Sequence, residues 1–324
     1  MKKTLILFIT ILFLVSGCAR IQNDETVHHI EIIKQLDHAS LDEIAKAIES
    51  RLIEEAKSNN IPISINISSG QNDPTILKQL SDQAVSTGAD VIMPIATLAA
   101  QIAVSSCANT KTPIVYAAVS DPEGADLTGF DYVTGTSDAL NTQTIISMIL
   151  AQNPNIKKIG LLYSLSETNS FKPISEAKQV LDEKGIEYVE AVGNTTDEIL
   201  TSTSVLLFEN VEAVFTPTDN VVMAAELALA PMLLEANIPH YTGADSFVRN
   251  GAYATCGVNY TKLGFNTADL ALKVITEGFE NIDDYYLMDG GIITINNQAD
   301  EILNLDLDVL KQFGEIVKVD TSED

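Results

Sequence analysis

Short apolar, β-rich runs alternate with amphipathic stretches along nearly the whole chain. His29–Ile33 is the first run. It is followed by Leu41, Ile44, Ala45, Ile48, Leu52 and Ile53, spaced at the helical period. Further strands are expected at 61–67, 91–95, 113–119 and 133–136, with helices opening at Asp73-Pro74 and at Thr97. Asp followed by Pro is a helix start, since Asp accepts the free amides and Pro has no N–H to leave unbonded. The pattern then restarts with a helix over 141–152, a strand over 159–163 and a helix over 169–184 closed by Gly185. Strands at 188–192, 213–216, 240–243, 252–258 and 292–295 alternate with helices at 197–207, 220–235, 263–278 and 299–303. Alternation of this kind builds parallel sheets covered on both faces. Two successive series predict an α/β protein of two doubly wound parallel-sheet lobes, with a cleft and hinge between them. Ligands of such sheets sit at the carboxyl ends of the strands.

The N-terminus carries a different pattern. Lys2-Lys3 precedes an apolar run from Leu5 to Val15, too short for the roughly 20 residues that span a bilayer. The run ends in Ser16-Gly17-Cys18, small residues before a cysteine, as in a lipoprotein signal. Residues 1–17 are expected as the signal, Cys18 as the lipidated first residue of the mature protein, and 18–27 as a tether. The chain has 45 acidic against 19 basic residues, a net charge of −26, which excludes a nucleic-acid binder dependent on basic surface. Past Cys18 only Cys107 and Cys256 remain. They fit no metal spacing and are expected as buried free thiols. No dinucleotide fingerprint, P-loop or nucleophile elbow is present, so no enzyme activity and no cofactor are expected.

The loops after the strands carry the candidate chemistry. Thr97, Leu98 and Ala99 open a helix after 91–95, where free amides and the helix dipole suit a carboxylate. Asp121 stands at the turn Ser120-Asp121-Pro122. In the second half, Asn169 and Ser170 lie at one helix start and Asp219 at another, while Asp245 follows the 240–243 strand. Asp219 and Asp245 are candidate holders of an ammonium group, against the alternative that each simply caps a helix. An anion site in one lobe and carboxylates with amides in the other match a zwitterion, namely a free amino acid. His38 follows the first strand, where a ligand contact and a helix-entry hydrogen bond compete. No partner histidine lies at helical spacing to make it a metal ligand. Tyr116, Tyr163, Phe171 and Tyr253 are candidates for an aromatic slot, or equally for core.

At these residues the chain resembles the tryptophan/tyrosine-type ABC transporter substrate-binding family, a branch of the periplasmic-binding-protein type I fold. The segments that carry the resemblance include 36–42 (Leu-Asp-His-Ala-Ser-Leu-Asp), 95–101, 119–122, 133–138, 158–163, 167–170, 217–220 and 251–264. They appear in family order across almost all of the mature chain. The resemblance implies three crossings between lobes, with 28–140 and 257–285 in lobe 1 and 141–256 and 286–324 in lobe 2. It implies ligand contacts from Thr97 and the following amides, Asp121, Asn169, Ser170, Asp219 and Asp245. It also implies capture of an amino acid, aromatic in kind, for delivery to ABC permease subunits by a monomer tied to the membrane through its lipid alone. Leu98 and Ala39 stand where the family commonly has proline, and Leu98 is expected either to add an N–H donor to the anion site or to narrow the cleft with its side chain. A sensor lipoprotein and a nucleoside- or sugar-binding protein of the same fold are the competing readings.

Overall fold

The computed structural model describes residues 27–322. The expected signal, Cys18 and all of the tether except Val27 lie outside them. Strands β1 (His28–Lys34), β2 (Ile63–Ser69), β3 (Val91–Ile95), β4 (Ile114–Tyr116) and β5 (Val133–Ser137) alternate with helices α1 (Ala39–Asn59), α2 (Pro74–Thr87) and α3 (Thr97–Cys107). The series then continues through α4 (Thr142–Gln152), β6 (Lys158–Tyr163), α5 (Thr168–Lys184), β7 (Glu187–Val192), α6 (Thr196–Phe208) and β8 (Ala213–Thr216). Next come α7 (Asn220–Glu235), β9 (His240–Thr242), α8 (Asp245–Arg249), β10 (Ala254–Gly257) and α9 (Tyr260–Glu277). The last elements are β11 (Tyr286–Leu287), β12 (Ile292–Asn296), α10 (Asn297–Leu303), a 3-10 turn (Asp308–Gln312) and β13 (Ile316–Val319).

Two sheets result. The first has the order β11-β5-β4-β3-β1-β2 and the second β13-β12-β10-β9-β8-β6-β7. Pairing is parallel throughout except between β10 and β12. Every residue of β3 is buried, as a central strand covered on both faces requires. Local chemistry ends the helices as expected. Asp73 accepts from the Thr75 and Ile76 amides, and Gly88 and Gly185 take left-handed geometry at the ends of α2 and α5. Helix α9 returns to pack on α1. Gly264 makes that approach possible, because a Cβ there would lie 2.5 Å from the Ala47 methyl.

Three segments join the sheets, at Asp138–Asn141, Val258–Asn259 and Met288–Gly291, and they surround one hinge pocket. The expected start of a lobe 2 tail at residue 286 is corrected here. Tyr286–Leu287 pairs with Thr136–Ser137 of the first sheet, so the last crossing follows Leu287. A two-residue strand has no periodicity of its own and owes its place to that pairing. Helix α8 and β13 were likewise not marked by pattern. Cys107 and Cys256 are buried and free, and burial pushes the Cys107 thiol up to about 11.

Candidate functional site

The carboxyl ends of the two sheets face each other and enclose a cavity of ≈ 20 Å³, room for about one water. Its polar wall includes His38, Thr97, Ser120, Asn169, Thr218 and Asn220, and its apolar wall Leu41, Met223, Phe247 and the body of Tyr260. Ala96 and Ala118, also on the wall, have φ of 79° and 54°. Backbone held in that region without glycine is a feature of ligand clamps. Here it turns the chain sharply after β3 and β4, so that Thr97 and Ser120 meet the cavity.

The lobes are closed on each other by direct bonds. His38 Nε2 lies 3.0 Å from Asn220 Oδ1, Ser120 and Thr218 hydroxyls meet at 2.9 Å, and Ser40 and Ser246 hydroxyls are in contact. Behind the wall, Gln35 Nε2 donates to Glu167 Oε1 at 2.7 Å. At the rim Lys172 pairs with Asp121 at 3.2 Å.

Three side-chain atoms of the wall are buried and have no partner: His38 Nδ1, Thr97 Oγ1 and Asn169 Oδ1. A buried polar atom left unbonded costs roughly 1–3 kcal/mol. Three converging on one cavity mark a site built for a polar guest. Thr97 is the first residue of α3 rather than its cap; the cap position is Ala96, which bonds no amide through its side chain. The Thr97 hydroxyl is therefore free to face inward beside the open amides of the helix start. Asn169 is held by its Nδ2, which donates to the Thr218 carbonyl at 2.7 Å. Burial keeps His38 below its usual range and hence neutral.

Other expected positions lie elsewhere. Leu98 and Ala99 turn their side chains into the first lobe's core, and the Leu98 N–H is taken by Gln35 Oε1 at 3.2 Å. The extra donor at Leu98 thus fixes Gln35 rather than adding to the cavity. Asp121 is at the rim. Ser170 donates to Asp219 Oδ2 at 2.6 Å from behind the wall. Asp219 reaches the wall, but its oxygens are fully engaged. Oδ1 accepts from the Val221 and Val222 amides, each at 3.0 Å, and Oδ2 from the Ser164 amide at 2.7 Å as well as from Ser170. Asp245 is off the wall, paired with Arg249 at 3.1 Å. Asp219 has no unbonded carboxylate oxygen, whereas Asp245 keeps Oδ1 buried and unpartnered. Tyr116, Tyr163 and Tyr253 are core and Phe171 is exposed, so apart from Leu41 the apolar wall is made by residues that periodicity did not single out. Phe247 and Tyr260 stand within two residues of loops that the sequence did mark.

Glu167 is buried beside the site. Its Oε2 accepts from Asn220 Nδ2 at 2.6 Å, and burial together with the Asp219 charge pushes it up to about 8. The folded value is raised above that of a solvated glutamate, so the closed state binds a proton that the open or unfolded chain does not. Stability of the closed, empty protein is then expected to fall as pH rises from about 4.5 to about 8, with no further loss from this group above that. Thermal melts of the wild type and Glu167→Gln across this window check it; equal pH dependence in both would show that Glu167 is not the group.

Among the described residues no helix is long and apolar enough to cross a membrane, and no cluster of metal-ligating side chains occurs. A tyrosine-binding protein of Clostridioides difficile is 29% identical over 252 residues, covering 76% of this chain and 72% of the relative. A Streptococcus pneumoniae ABC domain in complex with L-Trp superposes with a TM-score of 0.82 at 28% identity, over 90% of this chain and all of that one. The ligand-free, open form of a substrate binding protein with adhesive properties from Clostridium difficile gives 0.67 at 27% identity, over 91% and 100%. At matched identity the lower score against the open form places these lobes nearer the arrangement of the L-Trp complex. The model of ABC transporter substrate binding proteins matches residues 29–310, spanning both lobes and all three crossings, and the chain belongs to that family.

Proposed function

We propose that the chain captures a free amino acid with an aromatic side chain (tyrosine, tryptophan or phenylalanine) between its lobes and hands it, chemically unchanged, to ABC permease subunits. The observation that carries this reading is the set of three unpartnered polar atoms in one enclosed cavity. Thr97 and the open amides of α3 suit the ligand carboxylate. Asn169 Oδ1 and the cavity face of His38 suit donors on the ligand. Leu41, Met223, Phe247 and Tyr260 supply the apolar surface for a ring, and the cavity of ≈ 20 Å³ is drawn so tight in this closed form that the lobes close less far around a bound amino acid. The relatives that bind tyrosine and L-Trp support the aromatic class.

Asp219 and Ser170 act in this reading as the frame that holds Asn169 and Asn220 in place. Asp121 closes the rim, and Asp245 supports α8. Residues 28–138 with 259–288 form lobe 1, and 139–258 with 289–322 lobe 2. The protein is further proposed to work as a monomer on the outer face of the membrane, tied there through lipid on Cys18 after removal of 1–17. Loss of membrane association in Cys18→Ala, with the folded domain recovered in the soluble fraction, is the expected result.

The ligand class is tested by thermal shift against the twenty amino acids and common nucleosides and sugars. A ligand at about a thousand times its Kd adds roughly 4 kcal/mol, an upward shift of about 5–10 °C or more. Because the chain has no tryptophan, bound L-tryptophan is the sole source of indole fluorescence, and a blue shift on saturation reads its burial directly. Shifts confined to nucleosides or sugars would overturn the reading.

A further inference from the structure

The bonds around His38 form a chain whose far end is fixed by backbone. The Leu98 amide can only donate, so Gln35 Oε1, 3.2 Å away, is the acceptor side of that residue. Gln35 Nε2 is therefore the donor side, and it reaches Asn72 Oδ1 at 2.9 Å and Glu167 Oε1 at 2.7 Å. That leaves Glu167 Oε2 facing Asn220, and Asn220 facing His38 Nε2. With Glu167 ionised, Oε2 accepts from Asn220 Nδ2, Asn220 Oδ1 accepts from His38 Nε2–H, and the buried Nδ1 is a bare acceptor. With a proton on Oε2, that oxygen donates to Asn220 Oδ1 and the amide turns over. Its Nδ2 then donates to Nε2. His38 loses its Nε2 proton to water and takes one on Nδ1, with no net change on the ring.

We propose that Glu167, acting through Asn220, sets which nitrogen of His38 carries the proton, and so whether His38 offers the ligand an acceptor or a donor. The proposal rests on reading the interlobe cavity as the ligand site. Glu167 and Asn220 are positioning residues, and His38 is the group that touches ligand. The chain exists only when the lobes are closed, since Gln35 and His38 belong to the first and Glu167 and Asn220 to the second. The charged groups near it are few. Asp219, at the cap of α7, faces Glu167, and Lys34, Asp37 and Asp42 act on His38 from the end of β1 and the start of α1. The burial that raises Glu167 and the burial that lowers His38 put the change of tautomer in a range where the ring stays neutral. The ligand group read by an acceptor His38 is an N–H or O–H donor, supplied by the ammonium group or by the polar tip of the ring.

The test uses the Ser40→Cys/Ser246→Cys protein, oxidised to hold the lobes closed without ligand, and ¹⁵N spectra of His38 from about pH 6 to about pH 10. The proton is expected on Nε2 at the alkaline end and on Nδ1 at the acid end, with no such change after Glu167→Gln. A tautomer constant across the range, or a change that survives Glu167→Gln, would overturn the proposal. A second arm measures L-tyrosine affinity in Glu167→Gln, His38→Leu and the double variant. Measured at about pH 9, where Glu167 is ionised, Glu167→Gln alone is expected to cost about ten- to hundredfold and to cost nothing further once His38 is Leu. The same cost in both backgrounds would show that Glu167 acts by another route. L-phenylalanine and the des-amino analogue of tyrosine then separate the two donors: loss of the His38 effect with the first assigns the ring tip, with the second the ammonium. If the wild type binds no amino acid, the ligand reading fails, while the spectra of the closed protein still decide the tautomer.

Discussion

The oxidised Ser40→Cys/Ser246→Cys protein is expected to retain a preloaded ligand for at least a hundred times longer than the wild type, an estimate of about two decades in the off-rate. The two hydroxyls are in contact across the lobes, one in the first turn of α1 and one in α8, and both residues are buried. Side chains that meet in this way suit the short Cβ separation a disulfide demands. The crosslink joins residues 206 apart in sequence, and removing that loop freedom from the unfolded chain is worth about 5 kcal/mol in the chain-entropy picture. Release requires the lobes to part about the three hinge segments, and the crosslink ties α1 of one lobe to α8 of the other. Cys107 and Cys256 do not compete, being buried with thiols raised by that burial. The measurement is loss of bound label after dilution, with and without reductant. Fast loss from the oxidised protein would mean that ligand leaves without lobe opening.

Asp219→Ala is expected to destabilise the protein by about 3–4 kcal/mol, lowering Tm by roughly 10 °C. The substitution strands four donors at once: the amides of Ser164, Val221 and Val222 and the hydroxyl of Ser170, all buried. A helix cap alone accounts for about 1 kcal/mol of this. The remainder comes from the two bonds to Oδ2, which tie the loop after β6 and the start of α5 to the start of α7. Asp219→Asn is expected to recover part of the loss, since the amide oxygen can still cap, and to let Glu167 fall from about 8 by removing the neighbouring charge. The two roles open to this aspartate are separated by comparing melts with ligand affinity. A framing role lowers Tm strongly, with affinity falling only as the frame loosens. An ammonium holder would lose affinity by orders of magnitude in Asp219→Asn while Tm changed little.

The alternation of strands and helices was legible because each element is specified within a few residues. Asp73-Pro74, Gly88 and Gly185 set helix ends through bonds and backbone angles that they make locally. Fully apolar runs such as 91–95 name buried central strands. Topology then brings the loops after the strands to one cleft, so Thr97, Asn169, Asp219 and His38 were found at its wall from position alone. What loop position does not contain is the direction of a side chain. Leu98 and Ala99 share a helix turn with Thr97 yet point into the core, because consecutive residues on a helix face about 100° apart.

The charge of Asp219 and Asp245 was visible in the sequence, but their availability was not. Asp219, which accepts four hydrogen bonds, is spent before any ligand arrives, through partners up to 55 residues away, whereas Asp245 pairs with Arg249 through one oxygen and leaves the other unbonded. The same holds for Glu167, Gln35 and Asn220, whose polarity is decided only when the second lobe meets the first. The sequence by itself determined the two-lobed α/β fold and the loops that form the cleft, since these follow from periodicity and local capping, and its motif segments carried the family resemblance. Which polar atoms remain unpartnered was decided by tertiary structure alone, because a hydrogen bond is satisfied or left open by groups that only folding and lobe closure bring within 3 Å.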